Sequence, residues 1–323
     1  MKSPGKQING CYKCNSKKFG FKKDIKGKKY LIFCLDCEAI NRKIINRCPY
    51  CKSTDYEKWG KDVRNFSAVQ CVKCELVYLK NPLSDKVQSL YYKNYSTNIH
   101  QKKEIKKKQR SIMYKQELNY LINCVEDFKK IKTVLDVGCG GGYFLDLFKK
   151  KGKKTYGLEV GDDAYLTAKK KHKMYYGDFD ERSNINMKFD LIVMRGVVEH
   201  VDYPKKYVSF AQKLLKKSGY ILITATPNLD SICAKIFKER WTLHTPESHI
   251  LHLKESHVDK LFPKKKYMKA GSGSFYLNTP YENFSKDISV ISKEIKKQKK
   301  GLESNTVSPP FFNNMMTVVY KKK

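Results

Sequence analysis

Between Val134 and Leu145 the chain reads VLDVGCGGGYFL, and no other segment restricts its fold as strongly. The apolar run is a buried strand, and YFLDLFKKK after it has the spacing of an amphipathic helix. Gly138, Gly140 and Gly142 join the two, so a ligand can approach bare backbone where the helix begins. A dinucleotide turn needs G-x-G-x-x-G, and its last position here is Tyr143. Asp136, two residues before the first glycine, would also repel a pyrophosphate. Its charge suits a cationic centre with an ammonium group. The turn therefore predicts an adenosine-like ligand without phosphates.

From about residue 111 strands and helices alternate, which predicts an α/β domain whose parallel sheet is covered on both faces. The strands in order are IKTVLDVG, KTYGLEV, MYYGDFD, FDLIVMRG and GYILITATPN. Glu159 ends the second, where an acid can take both ribose hydroxyls. Asp178 ends the third, where a carboxylate can accept from an adenine amino group, and Phe179 beside it can pack on the ring. Each acid alone is also an ordinary turn residue. Three of them at successive strand ends outline a pocket.

Eight of the eleven cysteines precede residue 75, as Cys11/Cys14, Cys34/Cys37, Cys48/Cys51 and Cys71/Cys74. Nineteen residues separate the first pair from the second, and nineteen the third from the fourth. This predicts two copies of one device, facing C-x2-C hairpins that offer four thiolates to a structural Zn2+. A disulfide framework needs an oxidising compartment, to which MKSPGKQING offers no route. No stretch approaches the ~20 apolar residues of a membrane span, so a cytoplasmic protein is expected. The plan is a zinc ribbon over 1–44, a second over 45–82, a basic helical linker over 83–110 and the α/β domain over 111–323. Within the linker, Tyr91, Tyr92 and Tyr95 either pack between domains or lie over the ligand cleft.

The net charge of +34 invites a nucleic-acid reading, but only seven of the 66 basic residues are arginines. Base and phosphate recognition favours the arginine fork. A lysine excess spread along the chain points instead to solvated surfaces and weak, salt-sensitive attraction to anions.

The turn DVGCGGG, the acids in GLEV and YGDFD, and FDLIVMRGVVEHVDYP resemble the class I S-adenosylmethionine-dependent methyltransferases. The resemblance covers roughly 111–323. It implies a Rossmann-like seven-stranded sheet with helices on both faces, whose last pair would be about 266–277 and MMTVVYKK. It also implies S-adenosyl-L-methionine as cofactor, with Asp136, Gly138 and Gly140 at the methionine end, Glu159 at the ribose and Asp178 at the adenine. A narrower resemblance joins CPYCKS, FSAVQCVKCELVYLKNP and ERWTLHTPESHILHL to bacterial methyltransferases with an N-terminal zinc module, often tied to sugar and surface-polysaccharide biosynthesis. The departures are the extra first ribbon, Lys52 and Glu75 where glycine is usual, and no long C-terminal domain. They leave oxygen or nitrogen acceptors ahead of carbon.

A sugar hydroxyl must lose a proton during methylation, and histidine suits that task. The candidates are His200, after the fourth strand at the carboxyl edge of the sheet, and His249, in the insertion after strand five that would roof the acceptor cleft. The structural alternative has His200 capping its loop with Glu199 bonded to backbone. His252 and His257 read as surface or packing residues, and His244 belongs to the same group. A metal site built from these histidines lacks a carboxylate at useful spacing. Trp241 and Tyr203 either pack against the acceptor or belong to the core, and Cys139, Cys124 and Cys233 read as buried fillers. The lysine-rich insertion at 279–312 is a solvated helix or a helix resting on an acidic membrane surface.

The favoured reading is methyl transfer to a small hydroxyl-bearing metabolite, a nucleotide- or lipid-linked sugar, with at most peripheral membrane contact. One rival is an RNA or other nucleic-acid methyltransferase using the ribbons as a grip; only Arg42, Arg47 and Arg64 fall there, and strand four lacks an N-P-P-Y-type tetrapeptide. The other is a non-catalytic cofactor-binding adaptor, against which the intact turn and its three acids speak.

Overall fold

The computed structural model describes residues 19–23, 29–34, 41–93 and 104–323. Its main sheet has seven strands: β6 (Thr133–Val137), β7 (Lys154–Glu159), β8 (Lys173–Tyr176), β9 (Phe189–Arg195), β10 (Leu215–Pro227), β12 (Tyr267–Gly273) and β13 (Met315–Lys322). Their spatial order is β12-β13-β10-β9-β6-β7-β8. The strands from β10 to β8 pair in parallel, and β13 runs antiparallel to both β10 and β12. The order reverses beside β6, which is where an open α/β sheet binds its ligand. This is the expected Rossmann-like methyltransferase sheet, with its last strand pair at the expected place.

Alternate side chains along the central strands divide between two cores, as a two-residue period requires. Val134, Leu191, Val193, Tyr220 and Leu222 join one core with Leu118 and Leu121 of α2 (Glu104–Cys124) and Phe144, Leu145 and Phe148 of α3 (Tyr143–Lys150). Leu135, Ile192, Met194, Ile221 and Ile223 join the other, with Val208, Ala211 and Leu214 of α5 (Pro204–Leu214). On the outer side of β7 lies α4 (Asp162–Lys169). The boundary drawn at 110/111 falls inside α2: the basic lead-in and the first domain helix are one continuous element.

The second cysteine module contributes β3 (Tyr56–Lys58), β4 (Ala68–Cys71) and β5 (Val77–Leu79), followed by α1 (Asp85–Lys93). It is not an independent bead. The sheet acquires a fourth strand, β11 (Leu251–His252), from the strand-five insertion, with Leu251 opposite Tyr78 and His252 opposite Val77. Its apolar residues enter the domain's cores: Leu76 and Tyr78 with Leu135 and Ile250, and Trp59 and Phe66 with Phe237 and Trp241. After β11 the chain forms α7 (Glu255–Asp259), and His257 there donates from Nε2 to the carbonyl of Cys74 at 2.7 Å. Of the first module, β1 (Phe19–Lys23) and β2 (Lys29–Cys34) form an antiparallel hairpin. Cys11, Cys14 and Cys37 lie outside the described residues, as does the side chain of Cys34.

The 279–312 insertion forms α8 (Phe284–Lys299). Its two acids face inward, Asp287 accepting from the Tyr276 hydroxyl and Glu294 pairing with Arg240, while its lysines face outward.

Trp59 is buried between the module and the domain, so Trp59→Ala should cost about 3–5 kcal/mol. Calorimetry of the full chain should show one cooperative transition at lower temperature. Two separated transitions would contradict the shared core.

Candidate active site

The glycine turn sits at the carboxyl end of β6. Gly138, Gly140 and Gly142 adopt φ of +68°, +54° and +78°, which L side chains rarely adopt. At Gly142 a Cβ would also lie 2.6 Å from the ring of His172. Gly142 caps α3, whose N-terminus faces the cleft. Glu159, at the end of β7, holds this turn. Its Oε2 accepts from the Gly140 amide at 2.7 Å, and its Oε1 accepts from Val160 and Gly161 at 2.9 and 2.8 Å. Oε1 has both lone pairs occupied by these amides, and Oε2 keeps a second lone pair for a ribose hydroxyl.

Asp136 is 2% exposed, and its Oδ1 is buried without a hydrogen-bond partner. Burial pushes the carboxyl up to about 8, with Glu159 and Glu117 adding to the rise and Arg195 opposing it. Nothing in the sequence flagged Arg195 and Glu117. They form a two-point ion pair beneath the pocket, with bonds of 2.7 and 3.0 Å, across 78 positions of sequence. An orphaned, buried carboxylate oxygen facing a glycine turn fits a cationic amino-acid ligand, and its need of a partner is physical. Asp178 is exposed beyond β8. Phe179 differs from expectation: its ring is 3% exposed and packs on Phe210 and Tyr207 in the core, with centroids at 4.8 and 6.2 Å. Cys139 fills space beside Gly157, and burial raises its thiol well above the usual range, as suits a filler.

Past β9 the loop carries Glu199 and His200, and the strand-five insertion brings His249 to them, its ring centroid 4.8 Å from that of His200. His200 donates from Nδ1 to the Ser248 carbonyl at 2.8 Å, and His249 from Nδ1 to the Leu243 carbonyl at 2.6 Å. A carbonyl only accepts, so both Nδ1 atoms carry the proton and each Nε2 keeps a lone pair, with no hydrogen-bond partner among the described residues. Burial lowers each imidazole to about 4, so both rings are neutral at pH 7. Glu199 is 1% exposed and accepts from Thr226 through Oε2, while its Oε1 lies 3.8 Å from His200 Nε2. The expectation that these histidines lack a carboxylate is overturned. Glu199 reads in the sequence as an acid bonded to backbone, because adjacency does not show which way a loop residue points.

Two further residues of the site come from α1. Gln88 donates to the His200 carbonyl, and the Tyr92 hydroxyl lies 3.1 Å from His200 Nδ1. The tyrosine cluster thus reaches the histidines through Tyr92; Tyr95 lies outside the described residues. His252 and His257 are buried, and His252 stands on a strand. His244 Nδ1 and His252 Nε2 lie 2.8 Å apart beside Trp59. Trp241 is core, its Nε1 donating to Asn314, and the Tyr203 ring lies under the Lys52 ammonium.

In the second module Sγ of Cys48 lies 3.6 Å from that of Cys74, and Cys51 3.5 Å from Cys71. All four sulfurs fall within 4.8 Å of one another. A tetrahedron with ~2.3 Å metal–sulfur bonds has edges of about 3.8 Å, so the set fits one Zn2+. Lys52 and Glu75, one residue past each pair, take φ of +68° and +63°, the left-handed knuckle where glycine is usual.

Arg195→Met would leave Glu117 buried without its counter-charge and should cost about 3–5 kcal/mol, read from denaturant unfolding. A loss below 1 kcal/mol would show that the pair is not holding the pocket floor.

A family model described as a methyltransferase domain matches residues 107–270, half of the chain. Among curated relatives, the ubiquinone biosynthesis O-methyltransferase of Hydrogenovibrio crunogenus is 25% identical over 172 residues, 47% of this chain and 70% of that protein. The enzyme of the same name from Pelagibacter ubique is 32% identical over 120 residues, 33% of this chain and 50% of that protein. These are not polysaccharide enzymes, and past the first the chain spans about half or less of the relatives' length. Among solved structures, an S-adenosylmethionine-dependent methyltransferase from Archaeoglobus fulgidus is 21% identical with a TM-score of 0.44, covering 68% of this chain and 98% of that one. With its sheet order, its glycine turn and the match of the family model to half of its length, the chain belongs to the methyltransferase-domain family and is a class I S-adenosylmethionine-dependent methyltransferase.

Proposed function

We propose that this enzyme methylates a hydroxyl oxygen of a small acceptor bound between the glycine turn and the Glu199–His200–His249 cluster. The observation that carries the reading is the orphaned Asp136 oxygen at the glycine turn, with His200 on the neighbouring strand's loop and His249 brought to it by the strand-five insertion. When bound, S-adenosylmethionine supplies an electrophilic methyl group on a cationic sulfur. The protein's contribution is placement. Asp136 binds the ammonium end, Gly138 and Gly140 give the backbone room, Glu159 accepts from the ribose and Asp178 from the adenine. Nε2 of His200 or of His249 accepts from the acceptor's single O–H and orients its oxygen, and alignment of this kind reaches ~7–11 kcal/mol in favourable intramolecular reactions.

The relatives act on oxygen, which supports an oxygen acceptor here; an aromatic quinone precursor and a sugar are the two acceptors to compare. The cysteine quartet Cys48, Cys51, Cys71 and Cys74 takes a structural Zn2+ and, through β5 and β11, fixes the insertion that carries His249. By spacing, Cys11, Cys14, Cys34 and Cys37 hold a second. Among the described residues no helix is long and apolar enough to cross a membrane.

Asp136→Ala should weaken cofactor binding about 10- to 100-fold in calorimetry, since a hydrogen bond to a charged group is worth roughly 1.5–3 kcal/mol. Unchanged affinity would defeat the assignment. Because the free carboxyl titrates at about 8 and the ammonium needs it ionised, binding releases a proton. Affinity should therefore fall as pH drops below 8, approaching tenfold per pH unit. A flat profile between pH 6 and 9 would contradict this. Incubating a metabolite extract with deuterated-methyl cofactor should label a small hydroxyl compound; label found only in RNA would reverse the reading.

A further inference from the structure

The Glu199–His200–His249 cluster is built as more than a pair of hydrogen-bond acceptors. Three donor atoms from two separate segments, one carboxylate oxygen and two imidazole nitrogens, lie within 4.8 Å of one another. Ligands at ~2.1 Å from one tetrahedral ion stand about 3.4 Å apart, so small side-chain rotations close the set. What distinguishes it from a chance meeting of polar residues is the layer behind it. Each histidine donates its Nδ1–H to a backbone carbonyl, Ser248 or Leu243, which fixes the tautomer and leaves Nε2 as the ring's ligand atom. The carboxylate is anchored as well, Oε2 by Thr226, leaving Oε1 toward His200. Outer-shell hydrogen bonds of this kind orient the ligands of metal sites. Among the described residues neither Nε2 has a hydrogen-bond partner, although the rings are packed against Tyr92 and each other.

We propose that Glu199, His200 and His249 form a second kind of metal site, a two-histidine, one-carboxylate set for a divalent transition-metal ion at the acceptor end of the pocket. Nitrogen and oxygen donors distinguish it from the thiolate site at Cys48–Cys74. Three protein ligands leave coordination positions open, as in catalytic rather than structural sites. Its use in the reaction rests on the methyl-transfer reading; its existence does not. In use, the acceptor hydroxyl binds the ion and releases its proton to water. The oxygen's electron pair then forms the new O–CH3 bond as the S–CH3 bond breaks and leaves its pair on sulfur, giving a neutral thioether. The ion in this way supplies the acidity that two neutral imidazoles alone do not.

The test needs no substrate. Full-length protein is equilibrated with Zn2+, desalted, and its zinc per chain determined for wild type, His249→Ala and Glu199→Gln. Each variant should hold one ion fewer than wild type while keeping its affinity for S-adenosylhomocysteine, and equal zinc content would overturn the proposal. A second measurement covers variants that fail to fold. Co2+ added to wild type carrying zinc at the cysteines only, the weaker-held ion having been removed with a mild chelator, should give d–d absorption without thiolate charge transfer, saturating at one ion per chain. No such band, or one that survives in a folded His249→Ala protein, would equally overturn it. Cofactor binding that persists without the extra ion would leave the methyltransferase assignment standing.

Discussion

The contact on which the site depends is the one between Glu159 and the amide of Gly140. It ties the end of β7 to the turn leaving β6, and with the Val160 and Gly161 amides it fills one side of a carboxylate held near three backbone donors. The turn needs such a tether because three of its glycines sit at positive φ, where the backbone has few internal restraints. With the turn fixed, Asp136 is left buried beside it with an oxygen unpaired. A charge in that position is costly in the empty protein, and the cost is recovered when a cationic ligand arrives.

A second dependence runs through the cysteine module. The insertion after β10 pairs with β5, so the segment carrying His249 is a strand connection of the module's sheet as well as a roof of the domain. Tyr50 and Cys74 bind the backbone and ring of His257 on the far side of the same insertion. A metal ion held by the four cysteines would act on the segment that carries His249 by fixing β11, without approaching it. Buried Trp59, between the module and the paired rings of His244 and His252, fills the seam.

Much of this was legible in the chain. The glycine turn, Asp136 and Glu159 announce themselves because their chemistry is local: a strand, a tight turn and an acid a fixed distance away. The cysteine quartet is legible for the same reason. Side-chain direction was not. Phe179 follows a strand-end acid and reads as a ring for the adenine, but packing with Phe210 takes it into the core. His252 reads as a surface or packing residue on a helix and is a packed residue on a strand, since the pairing partner that makes it a strand lies far earlier in the chain, at Val77. Arg195 and Glu117 meet across two elements that no spacing rule connects. Glu199 was read as a loop acid, and only the approach of His249 from the insertion gives its position chemical meaning.

The central claim is that the cleft between the glycine turn and the Glu159 strand end is shaped for an adenosyl sulfonium. A crystal structure of the full chain with S-adenosylhomocysteine tests it most directly. The account predicts the amino group of that compound within hydrogen-bond distance of Asp136 and its ribose on Glu159. Density for the compound away from both carboxylates, in a folded and metal-loaded protein, would contradict it.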